Sequence, residues 1–542
     1  MGIPSFLRGI IPSGKGAFLR LPLPPSPAFF VLVFLTVLAI WWPALSTSFS
    51  LDDLGFLLKA SEIEGEWEGI RRLLSVQLFF ETGWTLFGNN PLPWHILLLV
   101  FHAINASLLA VLALRWGLSR KAAAYSSLIF LSSQVAFTPI HWVSGFQELS
   151  MSFFALLAGL ALIPRLRYSL PLAFLFALAS LLCKESALLL LPMLGFLFPL
   201  SQRDRVILIL GGLLLGTTLL FLSGSLNPRP PGDPYETALG LNLLWNFLGY
   251  LAWLVSFLDP FPDRLPEMQP GLALRGFLPL LLAGILAWRF RGIRRPLFTG
   301  LLAFLLLLLP ILPLLRHSYL YYLYLPVLPL CLLAGAGLDL RGDTWTRLAI
   351  PLLLAFLFLG AWQSSERRTM ILERDLLADP VIRYAGLLDN ALHSLDSSGE
   401  AIRGDLRIIA PFLSEAVSLG SASRNSSAAV ARVRFLPLQK ALLEGKALRL
   451  FYPELRSAAF LHNLEEEDDW TSCNFWWTHG PGFLDYLGEG EAGRRNLAAL
   501  YARHGEYQKA EREMKAVFHQ LERMSGGDRG DAAAVPEELR GN

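Results

Sequence analysis

The sequence has 542 residues, of which 54% are apolar and 17% are charged, whereas a soluble domain carries about 25% charged residues. Lys and Arg outnumber Asp and Glu by 46 − 44 = 2, so no basic surplus attracts a polyanion. This composition excludes a single soluble domain, a disordered chain and a nucleic-acid-binding protein. Most of the chain is predicted to lie in a membrane.

The N-terminal part is predicted to enter the membrane from the cytoplasm. Residues 1–27 contain Arg8, Lys15 and Arg20, and the apolar run 28–45 follows. This run is longer than the roughly 7–15 apolar residues of a signal peptide and close to the roughly 20 that cross a bilayer. We therefore interpret it as a retained first span after a cytoplasmic segment.

Ten further apolar runs are predicted to span the membrane. The loops that are rich in Arg and Lys all fall on the cytoplasmic side if the N-terminus is cytoplasmic, as positive-inside topology requires. Eleven spans then form a membrane domain of residues 28–363, and the C-terminus lies outside the cytoplasm. The ten runs are 93–114, 122–138, 149–163, 169–183, 186–200, 206–223, 274–288, 297–315, 319–338 and 348–363.

One additional apolar run does not fit this alternation. If residues 240–258 crossed the membrane, the basic segment 289–295 would lie outside. Trp245, Tyr250 and Trp253 suit the lipid–water interface. We expect this run to form an interfacial or re-entrant helix on the outer side.

Two polar regions remain, the first outer loop (46–92) and a C-terminal extracytoplasmic domain (364–524) followed by a disordered tail (525–542). The domain is predicted to be mainly helical, with strands at 406–412 and 433–438. Residues 496–521 resemble one tetratricopeptide repeat, a helical hairpin. A lone repeat has no neighbour to stack on, so it either closes the domain as an amphipathic hairpin or docks a protein partner. The pattern rests on Leu497, Tyr501, Gly505, Tyr507 and Ala510.

The first outer loop opens with two adjacent carboxylates, Asp52 and Asp53. Like charges next to lipid raise the pKa of at least one of them, which suits a general base. The alternative is a solvated acidic pair at a helix N-terminus, where the helix dipole favours negative charge.

Further candidate residues lie at the ends of the predicted spans. His141 and Glu148 in the second outer loop either face the same cavity as the aspartates or are simply solvated. The adjacent Lys184 and Glu185 either pair with each other as a structural tie or line a cavity, because ionisable groups at membrane depth usually do. Arg316 either binds a phosphate or extends to the interface, and His317 follows it. His102 shares a helix face with His95 and Asn105, where helix packing is the usual role.

Several familiar catalytic motifs are absent from the sequence. It contains no P-loop, no G-x-S-x-G, no HExxH and no CxxCH. An enzyme that works outside the cytoplasm without binding a nucleotide must receive an activated substrate through the membrane. A polyprenyl-phosphate sugar is such a substrate, because its phosphate is the leaving group and its tail is a lipid.

In their order, the motifs resemble the GT-C superfamily of integral-membrane glycosyltransferases, and most of all the protein O-mannosyltransferases that carry tetratricopeptide repeats. The predicted fold is thus all-α, polytopic and GT-C-like, with the C-terminal domain described above. The resemblance covers 28 to about 335, with a weaker echo at 496–521. Its motifs are FSLDD (49–53), PLPWHILLLVFHAINASLL (91–109), TPIHWVSGFQEL (138–149), CKESALLLLP (183–192) and LLRHSYLYYLYLP (314–326).

This resemblance implies transfer of a sugar from a polyprenyl-phosphate donor to an extracytoplasmic protein or glycan, with inversion. It implies Asp52 or Asp53 as the base and Glu148 as a supporting acid. Lys184 and Arg316, with His317, would hold the donor phosphate. The remaining cavity candidates are His141, Glu185, His102 and Tyr321.

The resemblance also implies a bacterial inner or plasma membrane, because eukaryotic relatives carry long repeat arrays. A divalent cation such as Mg²⁺ or Mn²⁺ suits the carboxylates, although nothing in the sequence requires one. The sequence departs from the family at Gly145-Phe146, where relatives have Gly-Arg, and at Leu315-Arg316-His317, where they have Glu-Arg. These departures leave the acceptor, the donor and the activity itself open.

Two other classes of function stay open. A transporter or flippase for a lipid-linked sugar would use Lys184 and Glu185 along its pathway, but the two halves of the chain show no repeat of the kind that transporters carry. A non-catalytic scaffold would dock partners through 364–524, using the acidic run 465–469 and the aromatic stretch 475–477. These two features equally suit a solvated surface and a local core.

Overall fold

The structure is a computed structural model that describes residues 27–524 except 68, 164–167, 225–229, 231–232, 234, 256–269, 290–293, 316, 340–341, 372–375, 378, 410–436, 462–469, 471, 480 and 504–506. The chain divides into two compact units. We call the described residues of Met1–Thr47 and Glu66–Met370 the membrane unit. Those of Ser48–Gly65 and Ile371–Asn542 are the C-terminal unit.

The membrane unit is helical, and some of its helices begin at a residue whose side chain caps the first turn. Asn90 accepts a hydrogen bond from the Leu92 amide, and Ser119 and Ser201 cap two later helices in the same way. Together with α2, which belongs to the C-terminal unit, the helices are α1 (Pro27–Trp41), α2 (Asp52–Ala60), α3 (Leu78–Phe87), α4 (Pro91–Arg115), α5 (Arg120–Ser132), α6 (Phe137–His141), α7 (Phe146–Ala161), α8 (Ser169–Cys183), α9 (Leu190–Leu197), α10 (Gln202–Leu222), α11 (Leu241–Val255), α12 (Pro270–Arg289), α13 (Arg294–Leu308), α14 (Val327–Asp339) and α15 (Gly342–Thr369).

Within the described residues, four helical stretches are long and apolar enough to cross a membrane: Pro27–Ser46, Pro91–Arg115, Val143–Ala161 and Gln202–Leu222. Five shorter apolar helices of the described residues lie in runs that the sequence predicts as spans or as the interfacial helix, among them Ser169–Cys183 and Glu185–Leu197. Apolar side chains are widely exposed on these helices, as with Leu214 at 69% and Phe221 at 74% in α10, which suits a lipid environment. The count of eleven spans stays a prediction.

Two predictions for the membrane unit differ from the structure. The predicted span 319–338 is helical only from Val327, because Pro326 disfavours helix in the residue before it, and a 3₁₀ turn occupies Leu320–Leu323. Tyr250 and Trp253 of α11 were expected at the lipid interface, yet both side chains are fully buried and contact each other.

The C-terminal unit contains a four-stranded sheet. In the order β2-β1-β3-β4, β1 pairs in parallel with β2 and β3, and β3 pairs antiparallel with β4. Trp477 of β3 lies opposite Asp485 of β4. The strands are β1 (Gly404–Ile409), β2 (Leu455–Leu461), β3 (Cys473–His479) and β4 (Phe483–Glu489).

Helices complete this unit. α16 (Pro380–Ser397) packs on β4, and a hairpin of α17 (Gly490–Arg503) and α18 (Tyr507–Met524) follows the sheet. Phe475 of β3, Leu497 of α17 and Val517 of α18 share one core, and burying each such side chain stabilises the fold by about 1.5–3 kcal/mol. The aromatic stretch 475–477 thus lies mainly in a core, whereas the acidic run 465–469 lies outside the described residues.

Three predictions concern the same unit. The strand expected at 406–412 corresponds to β1. The strand expected at 433–438 is wrong at Pro437 and Leu438, which are helical, and its residues 433–436 lie outside the described residues. The hairpin forms at 496–521, but Tyr507 is 59% exposed rather than packed, so its assignment as a tetratricopeptide repeat stays a prediction.

Candidate active site

A buried ion pair joins Lys184 to Glu148. Lys184 follows the end of α8 in extended conformation, which turns its side chain into the unit, and its Nζ lies 2.5 Å from Oε1 of Glu148. Glu148 lies in the first turn of α7, where the helix dipole favours a negative charge. The two residues are 6% and 1% exposed, so the pair is almost dry.

Tyrosine rings surround the ammonium group. Nζ of Lys184 lies 4.7 Å from the ring centre of Tyr321 and 4.6 Å from that of Tyr322, distances at which a ring face attracts a cation. The second carboxylate oxygen of Glu148, Oε2, is buried and has no hydrogen-bond partner among the described residues. Such an orphaned oxygen costs free energy, and a hydroxyl group would satisfy it.

A second charged cluster forms around Glu185. Nε of Arg71 lies 2.6 Å from Oε1 of Glu185, and Nε of Arg72 lies 3.2 Å from Oε2. The expected pair of Lys184 with Glu185 is therefore wrong, because the chain turns between them and each finds another partner. Burial opposes the charge of Arg72, but the Glu185 carboxylate outweighs it and holds the pKa of Arg72 above its usual value.

The two arginines were not among the candidates from sequence. The sequence signal that could have identified them is the Arg-Arg dipeptide in the first outer loop, but it belongs to none of the motifs named above. Arg72 also has a positive φ of 54°, a conformation that side-chain-bearing residues rarely adopt. Strained backbone of this kind tends to occur at functional sites.

A shallow groove runs from this cluster along α8 and α10. Arg71, Arg72 and Glu185 line one part of it. The remaining lining is mainly apolar and comes from Ile70, Leu181, Leu182, Gly216, Leu219, Leu220 and Ser223. The groove thus joins a cationic end to a hydrocarbon wall.

The segment before α14 closes the aromatic side of the site. The ring of His317 lies 4.3 Å from that of Tyr235 and 4.6 Å from that of Tyr319. Burial, and then the charges of Lys184 and Arg72, lower the pKa of His317 to about 4. His317 is therefore neutral at pH 7 and supplies no charge to a phosphate. Arg316 lies outside the described residues.

The other histidine candidates lie apart from this cluster. His102 bonds to the Tyr324 hydroxyl at 2.7 Å and to the Leu131 carbonyl at 3.1 Å, which suits its reading as a tie between helices. The ring of His141 stacks on Phe137, and its Nδ1 lies 3.0 Å from the Phe137 carbonyl oxygen. Neither residue contacts Lys184 or Glu148 through any described hydrogen bond or ring contact.

The first-loop aspartates belong to the C-terminal unit and differ from each other. Asp53 is fully buried, and its Oδ2 accepts a hydrogen bond of 2.9 Å from the Ser50 amide. Asp52 is exposed at the start of α2. The predicted convergence of Asp52 with Glu148 stays a prediction.

Two carboxylates of the membrane unit, Glu148 and Glu185, already have cationic partners. Glu148 pairs with Lys184, and Glu185 pairs with two arginines, so each carboxylate is already neutralised. Across the described ranges, no group of three His, Cys, Asp or Glu side chains is placed to hold a metal ion. Metal dependence stays a prediction from sequence.

Comparisons with known proteins find little. No protein-family model matches the chain, and no curated protein matches it significantly. Among solved structures, the chain is similar to ArnT from Cupriavidus metallidurans bound to undecaprenyl phosphate. The two are 16% identical, with 78% of each chain covered and a TM-score of 0.41.

Proposed function

We propose that this protein is a membrane glycosyltransferase of the GT-C type, which transfers a sugar from a polyprenyl-phosphate donor to a hydroxyl group outside the cytoplasm. The observation that carries the proposal is the groove with Arg71 and Arg72 at one end and hydrocarbon along its wall. The five motifs that resemble the GT-C superfamily in order support it independently.

The groove matches the two parts of the donor. Guanidinium groups bind phosphate oxygens in paired hydrogen bonds, and the leucines of α8 and α10 suit an isoprenoid tail. The ammonium of Lys184 adds a further cation. This assignment extends the phosphate-binding role expected for Lys184 and adds Arg71 and Arg72 to it.

In the reaction, the acceptor oxygen attacks the anomeric carbon and the bond from that carbon to the phosphate oxygen breaks. The acceptor proton passes to the Asp52 carboxylate, and the electron pair leaves with the polyprenyl phosphate. Cations already in position at the developing phosphate charge stabilise the transition state. Attack from the face opposite the leaving group inverts the anomeric centre.

Glu148 is assigned to the sugar or the acceptor. Its Oε2 can accept a hydroxyl hydrogen bond without displacing any partner, and the neighbouring rings of Tyr321 and Tyr322 provide apolar faces for a sugar. Mannose as the sugar and protein as the acceptor rest on the sequence resemblance alone. Docking of a protein partner through 364–524 is likewise a prediction.

Donor recognition is tested with purified full-length protein and undecaprenyl phosphate as the probe. Arg71→Gln with Arg72→Gln should weaken binding at least 10-fold, since each charge-assisted hydrogen bond contributes about 1.5–3 kcal/mol. Lys515→Gln, an exposed residue of α18, is the control. Equal binding by the double variant and wild type would refute the phosphate site.

Catalysis is tested by comparing Asp52→Asn with Asp53→Asn in proteoliposomes that contain lipid-linked sugars. Asp52→Asn should lower transfer by roughly 100-fold or more, the usual contribution of a general base, without weakening undecaprenyl phosphate binding. Unchanged transfer in both variants would remove the acid–base assignment. Movement of the lipid-linked sugar between leaflets without transfer would favour the flippase instead.

A further inference from the structure

Helix α2, which carries Asp52, belongs to the C-terminal unit rather than to the membrane unit. The C-terminal unit combines Ser48–Gly65 with Ile371–Asn542. Within it, α2 contacts the 3₁₀ segment Leu443–Leu450. The residue assigned as the base is therefore held by a segment almost four hundred residues later in the chain.

Two contacts among the described residues join α2 and the segment after it to Leu443–Leu450. A Cβ at Gly55 would lie 3.9 Å from Cδ1 of Leu443, an ordinary van der Waals distance, so the Leu443 side chain lies next to the α2 backbone at Gly55. At the other end of the helix, Nζ of Lys446 pairs with Oε1 of Glu64. Gly55 and Glu64 face the same short turn, which we define as the turn Leu443–Lys446.

Strained backbone is concentrated on both sides of this contact. Among the described residues, the non-glycine residues with positive φ are Leu51, Glu62, Arg72, Leu443 and Glu444. Four of the five either flank α2 or lie in the turn. A left-handed conformation costs about 1–2 kcal/mol per residue, and such strain persists where surrounding structure demands one geometry.

We propose that the turn Leu443–Lys446 is a positioning element, which holds α2 and thereby sets the orientation of the Asp52 carboxylate. This rests on the proposed function, in which Asp52 is the base. Asp53 is tied to the backbone of Ser50, so α2 and its N-terminal residues move as one body. Displacing the turn thus displaces Asp52.

The first test uses Gly445→Ala. Gly445 has a φ of 97°, and a Cβ there would lie 2.6 Å from the carbonyl oxygen of Ala458 in β2, so the turn must shift. We expect faster hydrogen exchange of the amides of 52–60. We also expect kcat to fall about 10- to 100-fold, the effect of a small misplacement of a reacting group, with KM for the donor unchanged.

The matched control is Gly482→Ala. Gly482 also has a positive φ, of 92°, and a Cβ there would lie 3.0 Å from the backbone of Leu387 in α16. It strains the same unit away from α2. Equal exchange of 52–60 in both variants, or no change with Gly445→Ala, would overturn the proposal. If exchange rises as expected but Asp52→Asn retains full transfer, the turn holds α2 but the assignment of Asp52 as the base fails.

A second test introduces no backbone strain, because it changes only charged side chains. Glu64→Lys should accelerate exchange of 52–60 and lower kcat, and adding Lys446→Glu should restore both by re-forming the ion pair with reversed charges. Arg456→Glu, which breaks the exposed pair with Asp405, is the control and should change neither readout. Failure of the swapped pair to restore the exchange rate would contradict the contact.

Discussion

The two compact units each bury one ion pair, and the pairs differ in their surroundings. Lys184 and Glu148 of the membrane unit lie beside tyrosine rings, with one carboxylate oxygen unpartnered. In the C-terminal unit, Arg494 of α17 lies 3.5 Å from Glu513 of α18, and its guanidinium stacks 4.1 Å above Trp470. The first pair joins α7 to the residue that follows α8, whereas the second joins the two helices of a hairpin.

The outer surfaces of the two units differ as well. The membrane unit exposes leucines and phenylalanines along α10 and α12, whereas the C-terminal unit buries almost all of its large apolar side chains among the described residues and exposes charged ones such as Arg456. Burying a charge costs free energy in both units. An exposed leucine suits only the membrane unit, whose surroundings are predicted to be lipid.

The largest expected effect is the loss of sugar transfer when the Lys184–Glu148 pair is broken. Lys184→Met removes the ammonium from the phosphate end and leaves Glu148 as a buried, uncompensated charge. Transfer in proteoliposomes should fall by roughly 1,000-fold, of the order seen when one preorganised electrostatic group is removed. Lys515→Met, on an exposed face of α18, should retain full activity, and comparable activity of Lys184→Met would break the contrast between the pairs.

The second pair should affect stability rather than chemistry. Arg494→Met takes away the buried cation beside Glu513 and leaves the exposed Arg512, whose Nε lies 3.9 Å from Oε1 of Glu513, which should destabilise the C-terminal unit by up to about 3–5 kcal/mol. Limited proteolysis of the full-length protein should then cleave this unit at lower temperature. Undecaprenyl phosphate binding should not change, and a parallel loss of donor binding would show that the two pairs are not separable.

The two leucine environments are compared by matched truncations. Leu497→Ala in the core of the C-terminal unit should cost about 2–5 kcal/mol through the cavity it leaves. Leu214→Ala on α10, at 69% exposure, should cost less than about 0.5 kcal/mol, as is usual away from packed features. Thermal unfolding in the same detergent measures both, and equal losses would mean that Leu214 packs against protein.

The smallest expected effect is a pH dependence at His317. Its pKa is near 4 when folded and about 6.5 when unfolded, so between these values the unfolded chain binds more protons. Its contribution to stability is therefore present above pH 6.5 and is lost as the pH falls toward 4. His317→Gln should flatten this part of the stability profile, while an unchanged profile would mean that His317 titrates with the same pKa in the folded and the unfolded chain.

Much of the local structure is visible in the sequence. The run 169–183 coincides with α8, and the run 93–114 lies within α4, because a helix in lipid must be continuously apolar and hydrogen-bonded within itself. Lys184 and Glu148 could be singled out for the same reason, since a charge among such runs has to find a partner. Asp52 and Asp53 are visible in the sequence as an acidic pair, but no local pattern distinguishes one from the other.

Only the tertiary structure decided which charges meet. Arg72 bonds to Glu185 across 113 residues of chain, and Lys184 pairs with Glu148 rather than with its own neighbour. The fold also separates Asp53, tied to Ser50, from the exposed Asp52, and it assigns α2 to the C-terminal unit. Apolar periodicity is a property of a few consecutive residues, whereas these partnerships depend on the packing of segments far apart in the chain.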